Sequence, residues 1–348
     1  MVLAGILQKL FSGGIVVTEV IYQPKYLEKT AIADFRIRLE KLNDLYAKYH
    51  LFDNKEFVMQ SNFSPITLEF ALAVGHKEML LKDIESTGFL EVSLLHCGGV
   101  VQAVDDIMSG KCTNAFATIP VGGHHAGPSS HWGFCYLNDV ACATYQARTK
   151  YHVQNILYID QDFHHGDGTE KFFRYDKDFF YIDAHAQKPG EQPGVKIDKP
   201  NTYVDIVMPK WIGGGDFAMI IREGLDFVLN KMKFKPDLMI AYCGFDAHML
   251  DGFNKGMLRV DYQAFVELAN VYRRLAESFC NGRLLCIGGG GYNDKYPEVS
   301  AICTFNTIAM LAKRDDLILE KNAPLEQSDP IAKIKVNSIL KEFTRAKF

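Results

Sequence analysis

Three carboxylates and two imidazoles crowd the nine residues Asp160-Gln-Asp162-Phe-His164-His165-Gly-Asp167-Gly168. On an extended strand, residues i and i+2 project to the same face, so Asp162 and His164 can reach one cation. A third ligand must come from elsewhere in the chain. Asp246, at the end of the apolar run Leu238-Met-Ile-Ala-Tyr-Cys-Gly-Phe, is the best candidate. One ring nitrogen and two carboxylate oxygens suit a borderline divalent ion, Zn2+ first with Fe2+ or Co2+ behind it. Three protein ligands also leave a position open for water, the arrangement of a catalytic rather than a structural site.

Adjacent imidazoles, His124 and His125, follow Gly122-Gly123. A general base needs an imidazole near the water to be activated, and its other nitrogen is best oriented by a carboxylate. Asp160 and Asp167 are spare carboxylates in the metal motif, so two His–Asp pairs are expected. Four glycines, Gly288 to Gly291, precede Tyr292. They could cradle a phosphate, but no Lys-Ser/Thr follows as in a P-loop. The preferred reading is a mobile loop that brings the Tyr292 phenol over the metal, where its hydroxyl can stabilise an oxyanion.

These motifs share a position. Each follows a short apolar run that reads as a strand, and ligands of open parallel α/β sheets bind outside the carboxyl ends of the strands. Strand candidates lie at 15–22, 92–96, 115–119, 155–159, 179–182, 202–208, 238–244 and 283–287. They are continuous apolar runs, as expected for strands buried on both faces. Helical spacing marks 134–149, 216–233, 262–279 and 299–313 between them. Alternation of the two predicts an α/β doubly wound sheet. No repeat or linker divides residues 1–348, so one catalytic domain is expected, with a core at about 15–313. A charged, weakly patterned tail from about Asp315 reads as a surface helix or extension, over roughly 314–348.

Composition fits an enzyme of ordinary type. The chain is 48% hydrophobic and 23% charged, with a net charge of -4. That balance supplies a large core and no general basic patch for nucleic acid. No apolar run approaches a transmembrane length, so no membrane partner is expected. The N-terminal stretch to Val17 reads as a short helix plus the first strand rather than a secretory signal, since its early cation, Lys9, sits mid-run. Eight cysteines without a Cys-x-x-Cys pair behave as core hydrophobes and point to a cytoplasmic or other reducing compartment, the nucleus included in a eukaryotic setting.

Gly-Gly-His-His-Ala at 122–126, Gly-Phe-Cys-Tyr-Leu-Asn-Asp at 133–139, the Asp160–Gly168 motif, Gly-Phe-Asp-Ala at 244–247 and Gly-Gly-Gly-Gly-Tyr-Asn at 288–293 occur in this order. Together they resemble the zinc-dependent histone deacetylase family, which includes histone-deacetylase-like and acetylpolyamine amidohydrolases. The resemblance implies the three-layer α/β/α arginase–deacetylase fold around a mainly parallel eight-stranded sheet. It makes Asp162, His164 and Asp246 the zinc ligands. His125 paired with Asp167 becomes the general base, His124 paired with Asp160 its electrostatic partner, and Tyr292 the group that polarises the substrate carbonyl. Gly133, Phe134, Phe253 and Gly290 fall at substrate-contacting positions. A structural K+ is implied near Asp160, Asp162 and His164, with Asp183 where the family often has serine. Arg36 resembles the arginine of an internal channel behind the site.

The chain departs from the family pattern in its specificity loops. Thr30-Ala-Ile-Ala-Asp34 replaces the usual Gly-His-Pro-Glu segment, and Phe253 stands where Leu or Met is common. Lys188 and Gln192 precede the two Pro-Gly pairs where an aromatic often forms the second channel wall. That wall is then missing, polar, or supplied by another residue such as Trp132. The implied activity is zinc-dependent removal of acyl groups from N-ε-acyl-lysine in proteins or peptides. Hydrolysis of acetylpolyamines or another small acyl amide is the alternative. An idle scaffold is disfavoured, because every ligand, both dyad histidines and the tyrosine are kept.

Overall fold

The structure is a computed structural model and describes residues 17–30, 32–198, 202–292 and 295–346. Its centre is a sheet of nine strands: β1 (Thr18–Ile21), β2 (Phe57–Gln60), β3 (Asn114–Ala117), β4 (Ile156–Asp160), β5 (Phe179–Ala186), β6 (Gly194–Asp198), β7 (Tyr203–Met208), β8 (Leu238–Cys243) and β9 (Leu284–Gly288). Their order is β2-β1-β3-β9-β8-β4-β5-β7-β6. Every pairing is parallel except β6 with β7. The sheet therefore has one strand more than the eight expected: the edge strands β2 and β6 fall outside the apolar runs, while one of those runs, 92–96, is not a strand.

Strand alternation sends the two faces of the sheet into separate cores. Leu157, Ile159, Phe180, Ile182 and Ala241 pack on one side with Leu42, Phe217, Leu268 and Phe305. Ile156, Tyr158, Tyr181, Ile240 and Ile287 pack on the other with Val100, Val104, Val140 and Ala143. Helices α1 (Ala33–Lys48), α4 (Gly214–Asp226), α5 (Tyr262–Phe279) and α6 (Glu298–Leu311) supply the first layer, and α2 (Leu90–Ser109) and α3 (Asp139–Tyr151) the second. This is the expected three-layer α/β/α arrangement.

Three expectations need correction. Residues 92–96 are not a strand but lie inside α2, where Val92, Leu95 and Cys97 are buried. An apolar run this short carries no period that separates a buried strand from a buried helix. The helix expected at 134 begins at Asp139, because the Asn138 side chain caps it by accepting from Ala141 N, leaving 122–137 as loop. The charged tail holds helix α7 (Pro330–Arg345), which is not a mere surface element. It buries Ala332, Val336, Ile339 and Phe343, and Phe343 packs on Phe227 while the Glu342 carboxylate accepts from Val195 N of the edge strand. The reading of residues 1–16 as a short helix lies outside the described residues, apart from the strand that follows.

All eight cysteines are buried and free. Among the described residues, no single helix is long and apolar enough to cross a membrane.

Candidate active site

β4 and β8 are neighbours in the sheet, so the segments after Asp160 and Cys243 leave it side by side. Asp162, His164 and Asp246 consequently present ligand atoms that all lie within 4.8 Å of one another. His164 Nδ1 is 2.9 Å from Asp246 Oδ2 and 3.4 Å from Asp162 Oδ1. The remaining carboxylate oxygens are held from behind: Asp246 Oδ1 accepts from Phe163 N and Asp162 Oδ2 from Gly290 N. Burial works against a charged His164, yet the flanking Asp162 and Asp246 carboxylates push it up to about 10. A cluster whose negative charge traps a proton on an imidazole is one that a divalent cation would fill, displacing that proton.

Above this cluster lie the two histidines. His124 Nδ1 is 3.0 Å from Asp160 Oδ2, and His125 Nδ1 is 3.0 Å from Asp167 Oδ1. The two environments separate their charge states. Burial opposes protonation of both, but Asp162 and Asp160 raise His124 to about 9. His125 is pushed down to about 3 by burial and by the charge on His124, against the pull of Asp167. The two imidazoles are thus shifted in opposite directions, with ring centroids 3.9 Å apart. Tyr242 supports the pair, stacking on His124 and accepting from Gly123 N through its hydroxyl.

Tyr292 follows the glycine run, whose Gly290 packs against Asp162 and Asp246. Gly289, Gly290 and Gly291 are demanded by close packing. A Cβ at Gly290 would sit 2.5 Å from Asp246 Oδ2, and one at Gly291, where φ is +145°, 2.4 Å from Ser300 Oγ. The amides of Gly289 and Gly290 already donate to Cys243 O and Asp162 Oδ2, so they are not turned toward a phosphate. The Tyr292 ring meets Phe35, Phe134 and Phe253 at centroid distances of 5.4, 5.8 and 5.0 Å. Phe253 also stands edge-on to His164. Gly133 closes the other side: a Cβ there would lie 2.6 Å from His125 Cδ2.

The predicted residues therefore converge, with one exception. Arg36 is exposed and pairs with Glu40 one turn along α1. The arginine behind the site is Arg38, which is buried and donates to Gly289 O at 2.8 Å and Ile119 O at 3.4 Å. Helical spacing carried the signal, since Phe35, Arg38, Leu39, Leu42 and Tyr46 form the buried face of α1 and Arg36 falls outside it. Sequence reasoning also passed over Asp251, which accepts from Phe253 N and Tyr292 N and so ties both aromatic residues to one carboxylate.

Asp183 lies beneath the metal loop. Its Oδ2 accepts from Gly166 N and from the Tyr181 hydroxyl, while Oδ1 is buried without a hydrogen-bond partner. A buried carboxylate oxygen left open beside Asp160 fits a cation contact. Lys188 and Glu191 close the following loop on itself, through Lys188 N to Glu191 Oε2. The aromatic beside His125 is Trp132, whose indole stacks on that imidazole.

Comparison with known proteins agrees with this geometry. The family model "Histone deacetylase domain" matches residues 23–308. The chain belongs to the histone deacetylase family. A "Probable deacetylase" of Archaeoglobus fulgidus is 29% identical over 300 residues, covering 80% of this chain and 82% of that protein. "Histone deacetylase 14, chloroplastic" of Arabidopsis thaliana is 31% identical over 263 residues, covering 72% of this chain and 60% of that longer protein. Among solved structures, the HDA15 HD domain superposes with a TM-score of 0.76 at 21% identity over 94% of both chains, a likeness of fold. Within this deacetylase and amidohydrolase family, the site just described occupies the carboxyl ends of the central strands.

Proposed function

We propose that this histone deacetylase family hydrolase is a zinc-dependent amidohydrolase that removes acyl groups from N-ε-acyl-lysine in proteins or peptides. The observation that carries the reading is the placement of two adjacent His–Asp pairs, His124 with Asp160 and His125 with Asp167, beside three converging metal-capable donors. Zn2+ held by Asp162, His164 and Asp246 would polarise the amide carbonyl and acidify a water. His125, its Nδ1 anchored by Asp167, has Nε2 available to take the proton of the attacking water and return it to the departing amine. His124 keeps its proton on the Asp160 side and stabilises negative charge as it develops. The Tyr292 hydroxyl donates to the former carbonyl oxygen from the opposite side.

The exposed aromatic rings of Phe134, Phe253 and Trp132 offer an apolar rim that suits the methylene stem of a lysine. A K+ ion near Asp183 Oδ1 and the 160–164 loop would stiffen the segment that carries two of the ligands.

The test uses zinc-loaded protein and three substrates: acetyl-lysine peptides, longer acyl-lysine peptides and acetylated polyamines. Turnover of acyl-lysine should be abolished by chelation, restored by zinc and reduced roughly 10²–10³-fold in kcat by Tyr292→Phe, the scale of one lost oxyanion donor. Preference for the polyamines would overturn the substrate class. Full activity in exhaustively chelated, metal-free protein would overturn the mechanism.

A further inference from the structure

A second group of metal-capable side chains lies behind the first. His165, His185 and Asp205 present ligand atoms within 4.8 Å of one another, the same spacing that holds among Asp162, His164 and Asp246. The two groups diverge at adjacent residues: His164 faces Asp246, whereas His165 turns to His185 with ring centroids 5.0 Å apart. His185 is on β5 and Asp205 on the adjoining β7, in a register that pairs Asp183 with Asp205.

The hydrogen bonds around these residues favour a cation. His185 Nδ1 lies 2.9 Å from Ala186 O, a contact in which the nitrogen must donate, and the ring's Nε2 is 3.0 Å from Asp205 Oδ1. Metal-bound histidines recur with the distal nitrogen fixed by a backbone carbonyl in this way. His165 is buried, and its Nε2 has no hydrogen-bond partner. The Glu170 Oε2 atom lies 3.3 Å from that nitrogen but out of line for a hydrogen bond. The other Glu170 oxygen is bonded to Arg174, which also reaches Asp198. Two imidazoles with one carboxylate match Zn2+ or a similar borderline divalent ion. They do not suit a monovalent cation, which prefers oxygen ligands. The alternative without metal is a protonated His185 paired with Asp205, and it leaves His165 Nε2 unsatisfied.

We propose that His165, His185 and Asp205 form a second divalent-cation site that pins the catalytic metal loop to β5 and β7. Asp205 and Glu170 retain some side-chain exposure, which gives the ion a route from solvent. The site is independent of the catalytic reading, since none of its residues enters the hydrolytic machinery.

The experiment is zinc stoichiometry by mass spectrometry on the full chain, saturated with Zn2+ and desalted. Wild-type protein should hold two equivalents, Asp205→Asn one with amide hydrolysis largely retained, and Asp246→Asn one with hydrolysis lost. X-ray absorption at the zinc edge of Asp246→Asn should show two imidazoles, and this reading does not depend on the folding of the Asp205 variant. A single equivalent in wild type, or two in Asp205→Asn as for an adventitious ion only, overturns the proposal. So does a one-imidazole shell in Asp246→Asn, because that would be residual binding at His164.

Discussion

The Trp132 indole lies flat on the His125 imidazole, with centroids 3.8 Å apart and planes 25° from parallel. Its Nε1 donates at 2.9 Å to Asp167 Oδ1, the same oxygen that holds His125 Nδ1. Lys171 occupies the other oxygen of Asp167 at 2.6 Å. The orientation of His125 therefore depends on a carboxylate fixed from three directions. Trp132→Phe keeps a ring over the imidazole and removes one hydrogen bond. A loss of about 1 kcal/mol corresponds to a several-fold fall in kcat at unchanged zinc content. Trp132→Ala should lower kcat further and raise KM for acyl-lysine peptides, since the stem loses an apolar surface. Wild-type kinetics in both variants would show that Trp132 neither positions the base nor touches substrate.

Arg38 and Arg36 lie two residues apart and have opposite surroundings. Arg38→Ala removes a buried guanidinium and leaves the carbonyls of Gly289 and Ile119 without this donor. Unsatisfied buried acceptors cost roughly 1–3 kcal/mol each, so denaturant unfolding should shift clearly and activity should fall as the 288–292 loop loosens. Arg36→Ala should stay within about 0.5 kcal/mol of wild type, as exposed substitutions do. Equal effects from the two variants would contradict the burial seen for α1.

Glu19 gives a pH signature far from the catalytic centre. Burial, reinforced by the neighbouring Asp106 and opposed by Lys111, raises its carboxyl from 4.5 to about 7. The folded protein then binds a proton more tightly at this position than the unfolded chain does. Its contribution to stability is fully present below pH 4.5 and is lost as pH rises through about 7. Glu19→Gln lacks this titration, so its stability relative to wild type should improve between pH 5 and pH 8 in urea unfolding. A stability difference that is constant across that range would refute the raised value.

Phe343 tests whether the charged tail belongs to the folded body. Its ring is buried against Phe227 at a centroid distance of 5.5 Å, beside Gly224. Phe343→Ala should destabilise by about 3–5 kcal/mol, the usual range for a buried phenylalanine. It should leave the kcat of the folded fraction unchanged, because the residue contributes only to packing. A variant of wild-type stability would mean that α7 packs too loosely to matter.

The chemistry of the site was legible in the sequence because its determinants are local. Asp162 and His164 are two apart in the bend that follows β4, His124 and His125 are adjacent, and each lies just past an apolar strand, where a parallel sheet must gather its ligands. The helical period of Phe35, Arg38 and Leu39 likewise marks Arg38, not Arg36, as the inward-facing arginine. What the sequence alone could not supply depends on contacts between distant segments. Residues 92–96 are helical because their neighbours surround them, the edge strand β6 exists through its pairing with β7, and the tail helix is buried through Phe227. The three-way support of Asp167 and the meeting of His165 with His185 and Asp205 likewise follow from strand order and register. Side-chain type and short-range spacing are written along the chain, but which distant groups share a buried space is decided when the layers pack.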